Sequence, residues 1–198
     1  MKTKDNITYK KLLFEFVSIS FAIFLGLMLN QWKENYDNKK LVKQSLENIL
    51  VEVKNNSARV QEMLDSHQVI LSKIENILIH VDQGKIPSES IGELSFQLIN
   101  STAWETAKLT QAIAHMDINT VSEIARVYEF QEYYRAFVKQ HTLNSISNKS
   151  FESEKDIRTN KMIFADLRDF LKTKIVYSET NLLENYNTLQ KDLANKIK

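Results

Sequence analysis

An uninterrupted apolar run near the N-terminus constrains this chain more than any other feature of its sequence. Residues 12–29 read LLFEFVSISFAIFLGLML, which is 18 residues with Glu15 as the single charge. As an α-helix the run measures about 27 Å, close to the roughly 30 Å thickness of the hydrocarbon core of a bilayer. From Phe16 to Leu29 no charged residue provides the polar face that a surface helix needs. The sequence therefore predicts a transmembrane helix over 12–32, after a short basic tail over 1–11.

The residues on either side of the run are typical of membrane interfaces. Lys10 and Lys11 precede it, and Trp32 and Lys33 follow it, as basic and aromatic anchors do. Two alternatives stay open: a buried helix of a soluble domain, and a cleaved signal peptide. The run is long for a signal peptide, and no A-x-A-like cleavage site follows it. We favour an uncleaved signal anchor that binds the lipid bilayer.

The distribution of lysines indicates an orientation in the membrane. Four lysines lie in residues 1–11 and four in residues 33–47, so the two sides nearly tie under the positive-inside rule. The lysines are denser on the N-terminal side, which carries no domain to translocate. We predict a single-pass protein of the bacterial inner membrane, with a cytoplasmic N-terminus and a periplasmic C-terminal body.

One face of the predicted span is a candidate packing surface, which we call the small-residue stripe. Its members follow steps of three and four and therefore share a helix face; they are Glu15, Ser18, Ala22, Gly26 and Asn30. Small residues at this spacing let two helix backbones approach closely. The stripe predicts packing against a second copy or another membrane protein. The alternative is that small residues are simply common in membrane spans.

The rest of the chain, residues 33–198, predicts an all-α body. The sequence contains 3 Gly, 1 Pro and no Cys, so turn formers are few and no disulfide framework exists. From Val42 to Val81 the seam residues recur at alternating steps of four and three. The predicted architecture is an elongated antiparallel bundle with a coiled-coil-like stalk. Its helices are expected over about 33–82, 88–115, 120–146 and 153–197.

Local signals set the expected helix ends. Gly84 follows the first long helix, in the position where glycine commonly ends a helix. Thr102 with Glu105, and Thr120 with Glu123, have the spacing of capping boxes. These pairs predict helix starts at Thr102 and Thr120.

The unequal lengths of the predicted helices suggest that the chain self-associates. Residues 33–82 make about 75 Å of helix and 153–197 about 67 Å, while the middle two helices are nearer 40–45 Å. The short helices then cover only the half of the bundle that lies far from the membrane. The apolar residues that lack cover in the other half are Val42, Leu46, Ile49 and Val53. We expect them to pair between chains of a homo-oligomer.

Two short segments resemble an uncharacterised family of small single-span membrane proteins in Bacteroidota. Residues 27–34 read LMLNQWKE, similar to the L-x-[IL]-N-x-W-x-E motif that follows the glutamate-containing span of that family. Residues 101–105 read STAWE, similar to a second recurring segment. The resemblance implies membrane localisation and a helical body, and it implies no activity, since the family is of unknown function.

Few residues point to catalysis, a cofactor or a metal. The chain has no H-E-x-x-H, Walker A or G-x-S-x-G motif. A net charge of +1 provides no field that attracts nucleic acid. His67 and Asn56 lie on the apolar seam, where we interpret them as buried polar residues that fix helix register rather than as ligands. No catalytic, cofactor-binding or metal-binding residue is predicted.

The expected function is that of a membrane-anchored helical interaction or scaffold module without enzymatic activity. The alternative is a sensor-like bundle that binds a small ligand, of a kind the sequence does not reveal, and signals through a partner. A pocket lined by converging polar groups would favour the sensor. A continuous apolar strip along the stalk would favour the scaffold.

Overall fold

The computed structural model describes residues 4–84, 91–147 and 157–197, and it describes side chains for 9–84, 91–140 and 161–197. The described chain is all-α, as predicted from the sequence. It divides into two compact units, one ending at Gln44 and the other beginning at Ser45. In the first unit every described residue is helical.

Five α-helices and two irregular helical turns make up the described chain. In order they are α1 (Lys4–Asp82), α2 (Thr102–Leu109), a 3₁₀ turn (Ala112–His115), α3 (Ile118–Ser147), α4 (Ile157–Phe170), a π-helical segment (Leu171–Val176) and α5 (Tyr177–Lys196). The helix α1 therefore continues from the apolar run into the body without a break. The predicted start of the last helix near Ser153 lies outside the described residues.

The end of α1 follows the expected glycine signal. The helix ends at Asp82, and Gly84 takes a left-handed φ of 72°. Its N–H donates to the carbonyl of Val81 at 3.0 Å, which satisfies one of the carbonyls that a helix end leaves free. The predicted end of this helix is confirmed.

The seam predicted on α1 forms the core of the second unit. From Leu46 to Val81 every position of the seam is buried, including Asn56 and His67. On α3, the predicted positions that are buried in this core include Ile124 and Val127. Burial of each large aliphatic side chain contributes about 1.5–3 kcal/mol to the free energy of folding. The core therefore rests on residues that the sequence pattern identifies.

The predicted helix over 88–115 is wrong. Residues 91–101 form no regular secondary structure, helix α2 covers only Thr102–Leu109, and a 3₁₀ turn follows. Gly92 has a φ of 88°, which no right-handed helix allows, and Gln111 has a φ of 60° beyond the end of α2. Tertiary contacts override the apolar spacing here. We call residues 91–101 the strap.

Side chains of α1 hold the strap in place of backbone partners. One helix face supplies them, at steps of three, four and four. The bonds are Asn56 Nδ2 to Asn100 O (2.7 Å), Asn100 N to Asn56 Oδ1 (3.0 Å), Arg59 NH1 to Leu98 O (2.5 Å), Gln97 N to Met63 Sδ (3.0 Å) and His67 Nε2 to Ser95 O (3.1 Å). The strap thus runs antiparallel to α1. These bonds satisfy backbone groups of four strap residues without helical hydrogen bonds.

Contacts between the long helices define their directions in the second unit. On α3, Tyr128 reaches Glu52 and Gln131 reaches Asn56, so α3 runs parallel to α1. On α5, Glu179 reaches His67 while residues further along contact earlier parts of α1 and α3. The last helix is therefore antiparallel to both. The up-down-up-down order is retained, with the strap and α2 as the second element.

Helix α2 starts at Thr102 as predicted, but its N-cap residue is Ser101, whose side chain makes no capping bond. The second predicted capping box is displaced. Helix α3 begins at Ile118, before Thr120. Asp117 caps it, since its Oδ2 accepts from the N–H and the hydroxyl of Thr120 at 3.0 and 3.1 Å. These hydrogen bonds, the backbone one first, lower the pKa of Asp117.

Candidate functional site

A set of polar side chains lies inside the second unit and links all of its long elements. Its buried members are Asn56, His67, Gln131, Tyr134, Glu179 and Tyr186. Burial of polar groups is costly unless each finds a hydrogen-bond partner. Among the described side chains, every buried nitrogen and oxygen has one. The set is therefore a satisfied network, with His67 and Glu179 as its ionisable centre.

His67 and Glu179 form a fully buried pair, each with a relative exposure of 0 %. The imidazole Nδ1 lies 2.9 Å from Oε1 of the carboxylate and 3.0 Å from Oε2. On the opposite side of the ring, Nε2 lies 3.1 Å from the carbonyl oxygen of Ser95 in the strap. The ring of Phe96 packs at 5.0 Å between centroids. His67 therefore connects α1, α5 and the strap.

Tyr134 adds α3 to this pair. Its hydroxyl donates to Oε1 of Glu179 at 2.6 Å. Burial, and then the neighbouring Glu179 carboxylate, raises the pKa of Tyr134 far above its usual range. The phenol therefore stays protonated and acts as a donor. The carboxylate thus faces two side-chain donors, from α1 and α3.

The spacing of buried residues along α5 places Glu179 on the core face. From Ile175 through Glu179 the buried positions recur at steps of four and three, continuing with Leu182, Tyr186, Leu189 and Leu193. Leu171, four residues before Ile175, is also buried. Two successive steps of four drift around a regular α-helix by about 40° each, and the π segment over Leu171–Val176 accommodates an extra residue, which keeps Leu171 on the same face.

A second cluster centres on Asn56 and Gln131. The side-chain amide of Asn56 pairs with both backbone groups of Asn100, and its Nδ2 also donates to Gln131 Oε1 at 3.3 Å. Gln131 Nε2 donates to the Asn100 carbonyl at 3.0 Å, and the Tyr186 hydroxyl donates to Gln131 Oε1 at 2.5 Å. Burial raises the pKa of Tyr186. This cluster holds the other end of the strap.

A third group anchors the start of α2. Glu52 accepts from the Tyr128 hydroxyl at 2.7 Å and from the backbone N–H of Ala103 at 2.9 Å. Burial, followed by the hydrogen bond to Glu52, raises the pKa of Tyr128. Trp104 stacks on Tyr128 with centroids 5.9 Å apart. The tryptophan of the STAWE segment is therefore a core residue.

The predicted span residues lie in the first unit and are exposed within this chain. They are Lys10, Lys11, Glu15, Ser18, Ala22, Gly26, Asn30, Trp32 and Lys33. An apolar window with a mean hydropathy of 2.3 has none of its residues buried, and it is long and apolar enough to span a membrane. A Cβ added at Gly26 meets no atom within 4 Å. The side of the stripe that would face a neighbour is thus open.

The predicted stalk association requires a correction. Leu46, Ile49 and Val53 are buried inside the second unit, with Ile49 and Val53 at 0 % exposure. Val42 belongs to the first unit and is half-buried. The expectation that these side chains need cover from another chain is therefore wrong for the three buried ones. It failed because α3 and the start of α2 lie beside this part of α1, where Glu52 accepts from Tyr128 and from the N–H of Ala103, and not beside its far half alone.

Two surface grooves border the strap and α2. One of about 480 Å³ lies between the strap and α3, with Phe96, Leu98, Arg135 and Lys139 in its lining. Another of about 390 Å³ lies between α1 and residues 100–106. Within the described ranges, no group of three or more His, Asp or Glu side chains is placed to hold a metal ion.

Comparison with known proteins returned nothing similar. No protein-family model, no curated protein and no solved structure matches this chain. The family resemblance of the two short segments therefore stays a prediction.

Sequence reasoning identified part of this site. His67 and Asn56 were expected to be buried polar residues of the seam, and both are. Glu179, Gln131 and Tyr186 were not expected. The spacing of two of them could have predicted their burial, because Glu179 and Tyr186 each lie four residues after a buried aliphatic residue.

Proposed function

We propose that this protein is a single-span bacterial membrane protein whose helical body acts as an interaction module. The observation that carries the proposal is the apolar window in α1, none of whose side chains is buried by the chain itself. Each large apolar side chain removed from water is worth about 1.5–3 kcal/mol. A bilayer provides that environment for all of them together. The flanking lysines and Trp32 suit its two interfaces.

The proposed location is the bacterial inner membrane, with the N-terminus in the cytoplasm and the body in the periplasm. The dense lysines of the first eleven residues support this orientation. Because the chain has no cysteine, single cysteines can report it. Asn6→Cys and Asn195→Cys variants are treated in intact cells with a membrane-impermeant thiol reagent. We expect labelling of Asn195→Cys only, and of both variants after permeabilisation. Labelling of Asn6→Cys alone in intact cells reverses the orientation.

Within this function, the small-residue stripe is the proposed contact with a second copy or another membrane protein. Its support is the open space beside Gly26 and the close approach that small residues permit. A Gly26→Leu variant keeps the span apolar and blocks that approach. We expect weaker self-association in bilayers, measured by crosslinking or single-molecule counting. A matched control is Phe24→Leu, on the opposite face of the helix, which should leave association unchanged. Equal association in both variants contradicts a packing role.

The ionisable groups in the core of the body are already paired within the chain, which supports a role in which its surface contacts a partner. The ionisable side chains of its core are bonded to residues of the same chain, so the groups left for a partner are on the surface. The exposed apolar side chains of the second unit include Val69, Leu109 and Ile118. Crosslinking of the full chain in its native membrane, followed by mass spectrometry, identifies the partner and its stoichiometry. Recovery of the protein as a lone, unassociated chain contradicts the proposal.

A ligand-binding sensor is the second candidate function, favoured by the polar lining of the 390 Å³ groove. That lining includes Asn48, Asn55, Arg59 and Thr106, and side-chain amides with a guanidinium suit a small polar ligand. Titration of the detergent-solubilised protein with amino acids, organic acids and sugars, followed by ligand-observed NMR, tests it. Saturable binding that Asn55→Leu abolishes supports the sensor. The absence of saturable binding for all three classes contradicts it.

A further inference from the structure

We propose that His67 and Glu179 form a proton-dependent latch that fastens the strap to α1. The latch joins the carbonyl of Ser95 to the imidazole, and the imidazole to the carboxylate. When the pair loses its proton, the strap is released at its Ser95 end. This inference concerns the second unit alone, and it does not depend on the proposed membrane function.

The hydrogen-bond partners of the imidazole fix the number of protons that the pair with Glu179 holds. Both of its nitrogens face acceptors: Nδ1 faces the two carboxylate oxygens of Glu179, and Nε2 faces the backbone carbonyl of Ser95. A neutral imidazole carries one N–H and one lone pair, whereas the imidazolium carries two N–H groups. These contacts together need one proton more than a neutral imidazole beside an ionised Glu179 would hold. Nε2 carries an N–H toward Ser95, and the further proton lies between Nδ1 and the Glu179 carboxyl, so the buried pair is neutral as a whole.

The groups described around His67 and Glu179 carry no charge of their own that could change with pH in place of the shared proton. From α3, Tyr134 donates its hydroxyl to Glu179, and burial keeps that phenol protonated because its pKa is raised. Tyr186 on α5 acts on Tyr134 electrostatically, and burial raises its pKa as well. The strap contributes only the Ser95 carbonyl and the ring of Phe96. The proton that changes the charge of this site is therefore the one shared by His67 and Glu179.

Loss of that proton acts on one side of the ring. The neutral imidazole keeps its single N–H on Nδ1, because a hydrogen bond to a carboxylate is stronger than one to a neutral carbonyl. Nε2 then presents a lone pair to the Ser95 oxygen at 3.1 Å. Two acceptors at that distance repel each other. The contact that held the strap is thus turned into one that expels it.

The strap is suited to respond because side chains, and not helical hydrogen bonds, hold its backbone, although Ile91, Leu94 and Phe96 pack against the core. It has no regular secondary structure, and side chains of α1 and α3 supply its described polar contacts. At its other end, Asn56 and Gln131 bind Asn100, and neither side chain titrates. Local segments with this kind of support open at lower free energy than the core. We therefore expect opening around Ser95 while the Asn100 end stays bound.

Hydrogen exchange of backbone amides in the full chain, in lipid nanodiscs, tests the latch. The Gln97 amide, which donates to Met63 Sδ, lies two residues from Ser95 and reports opening. The amides of Asn100 and Ala103 serve as references. As the pH is raised and the pair loses its proton, we expect protection of Gln97 to fall on the order of tenfold after correction for intrinsic exchange. The references should change much less.

Variants separate the latch from a general effect of pH. The double variant His67→Gln with Glu179→Gln removes the shared proton, and we expect protection of Gln97 to become independent of pH. The matched control is His80→Gln. His80 is exposed and bonds only within α1, so this variant should keep the wild-type dependence. Protection of Gln97 that does not change with pH in the wild type, or that still changes in the double variant, overturns the proposal.

A measurement on the wild-type protein covers the case in which the double variant does not fold. Nitrogen-15 labelling of histidine shows directly whether Nε2 of His67 carries a proton. An N–H on Nε2 at the pH of full strap protection, and none there where protection is lost, supports the latch. An Nε2 without a proton while the strap is fully protected overturns it.

Discussion

His67 and Glu179 stand 112 residues apart in the sequence and meet at 2.9 Å, with both side chains fully buried. The pair joins the first and last long helices of the second unit. Through Ser95 and Tyr134 it also reaches the strap and α3. One ionisable pair thereby ties together every long element of the bundle.

Removal of one partner of this pair should be severely destabilising. Glu179→Leu removes the buried partner of His67 Nδ1 and of the Tyr134 hydroxyl, and we expect a loss of about 3–5 kcal/mol in the free energy of unfolding. The double variant His67→Leu with Glu179→Leu should lose less than the sum of the single losses. Denaturant unfolding of the full chain in detergent, followed by circular dichroism, measures all three. The exposed pair Lys108–Glu105 is the control, since Glu105→Gln should cost about 0–1 kcal/mol. Additive losses at the buried pair would contradict the coupling.

The contribution of Asn56 to stability is predicted to depend on the N–H donor of its side-chain amide more than on the size of the side chain. Asn56→Ala leaves the amide and carbonyl of Asn100 without that partner, and each lost buried bond costs about 1–3 kcal/mol. Asn56→Asp has the same shape but turns an acceptor toward the Asn100 carbonyl and Gln131 Oε1. We expect the aspartate variant to be the less stable of the two at neutral pH. Acid should restore part of its stability, because the protonated carboxyl donates again. A thermal melt at pH 7 and at pH 4 distinguishes the two variants, and equal stability of both at pH 7 would show that the donor is dispensable.

Ile49 tests whether the stalk residues serve the fold or an interface. The side chain is buried within the chain, so Ile49→Ala should lower the free energy of unfolding by about 2–5 kcal/mol. Val51, two residues along α1, is 57 % exposed, and Val51→Ala should change stability by no more than about 0.5 kcal/mol. Unfolding and light scattering on the same samples separate stability from mass. A variant at Ile49 that keeps its stability but loses oligomers would restore the intermolecular interpretation.

The stability of the start of α3 is expected to fall in acid, because Asp117 caps this helix. Hydrogen bonds from Thr120 lower its pKa below the ordinary value of 3.8, so the cap contributes stability above that value. The contribution is lost as pH falls through the lowered pKa, because protonation removes the charged acceptor. Between about pH 5 and 2, the wild-type protein should lose more stability than Asp117→Asn. Parallel loss in both proteins, measured by chemical denaturation, would mean that other carboxyl groups account for the acid sensitivity.

The parts of the fold that sequence predicted are those governed by periodicity. The seam on α1 continues from Leu46 to Val81 with every member buried, and Gly84 ends the helix as expected. The start and end of α3 lie within two residues of the predicted ones. In these regions the local preference and the tertiary environment agree. A repeat of three and four is then sufficient to place the buried face.

The strap shows where local reasoning failed. Ile91, Leu94 and Leu98 have the spacing of a helix face, and yet the segment forms no helix. Its conformation is fixed by Asn56 and His67, which are more than 27 residues away in the sequence. A pattern within one segment does not reveal such partners. Glu179 was missed for another reason: its spacing places it on the buried face of α5, but a lone carboxylate is not expected there until its partners His67 and Tyr134 are known.

Two sets of hydrogen bonds, Asn56 with Asn100 and His67 with Ser95, join a helix to a non-helical segment. The two differ in the distance that each residue covers along the chain. A helix rises about 1.5 Å per residue and an extended strand about 3.3 Å. Eleven residues of α1 and five of the strap therefore both cover about 16.5 Å between these bonds. Two residues inserted into α1 match the length of one in the strap but turn the helix by about 200°, so that the bonding face is lost. Descendants of this gene are thus expected to gain or lose residues between these bonds rarely, and then about seven in α1 together with about three in the strap.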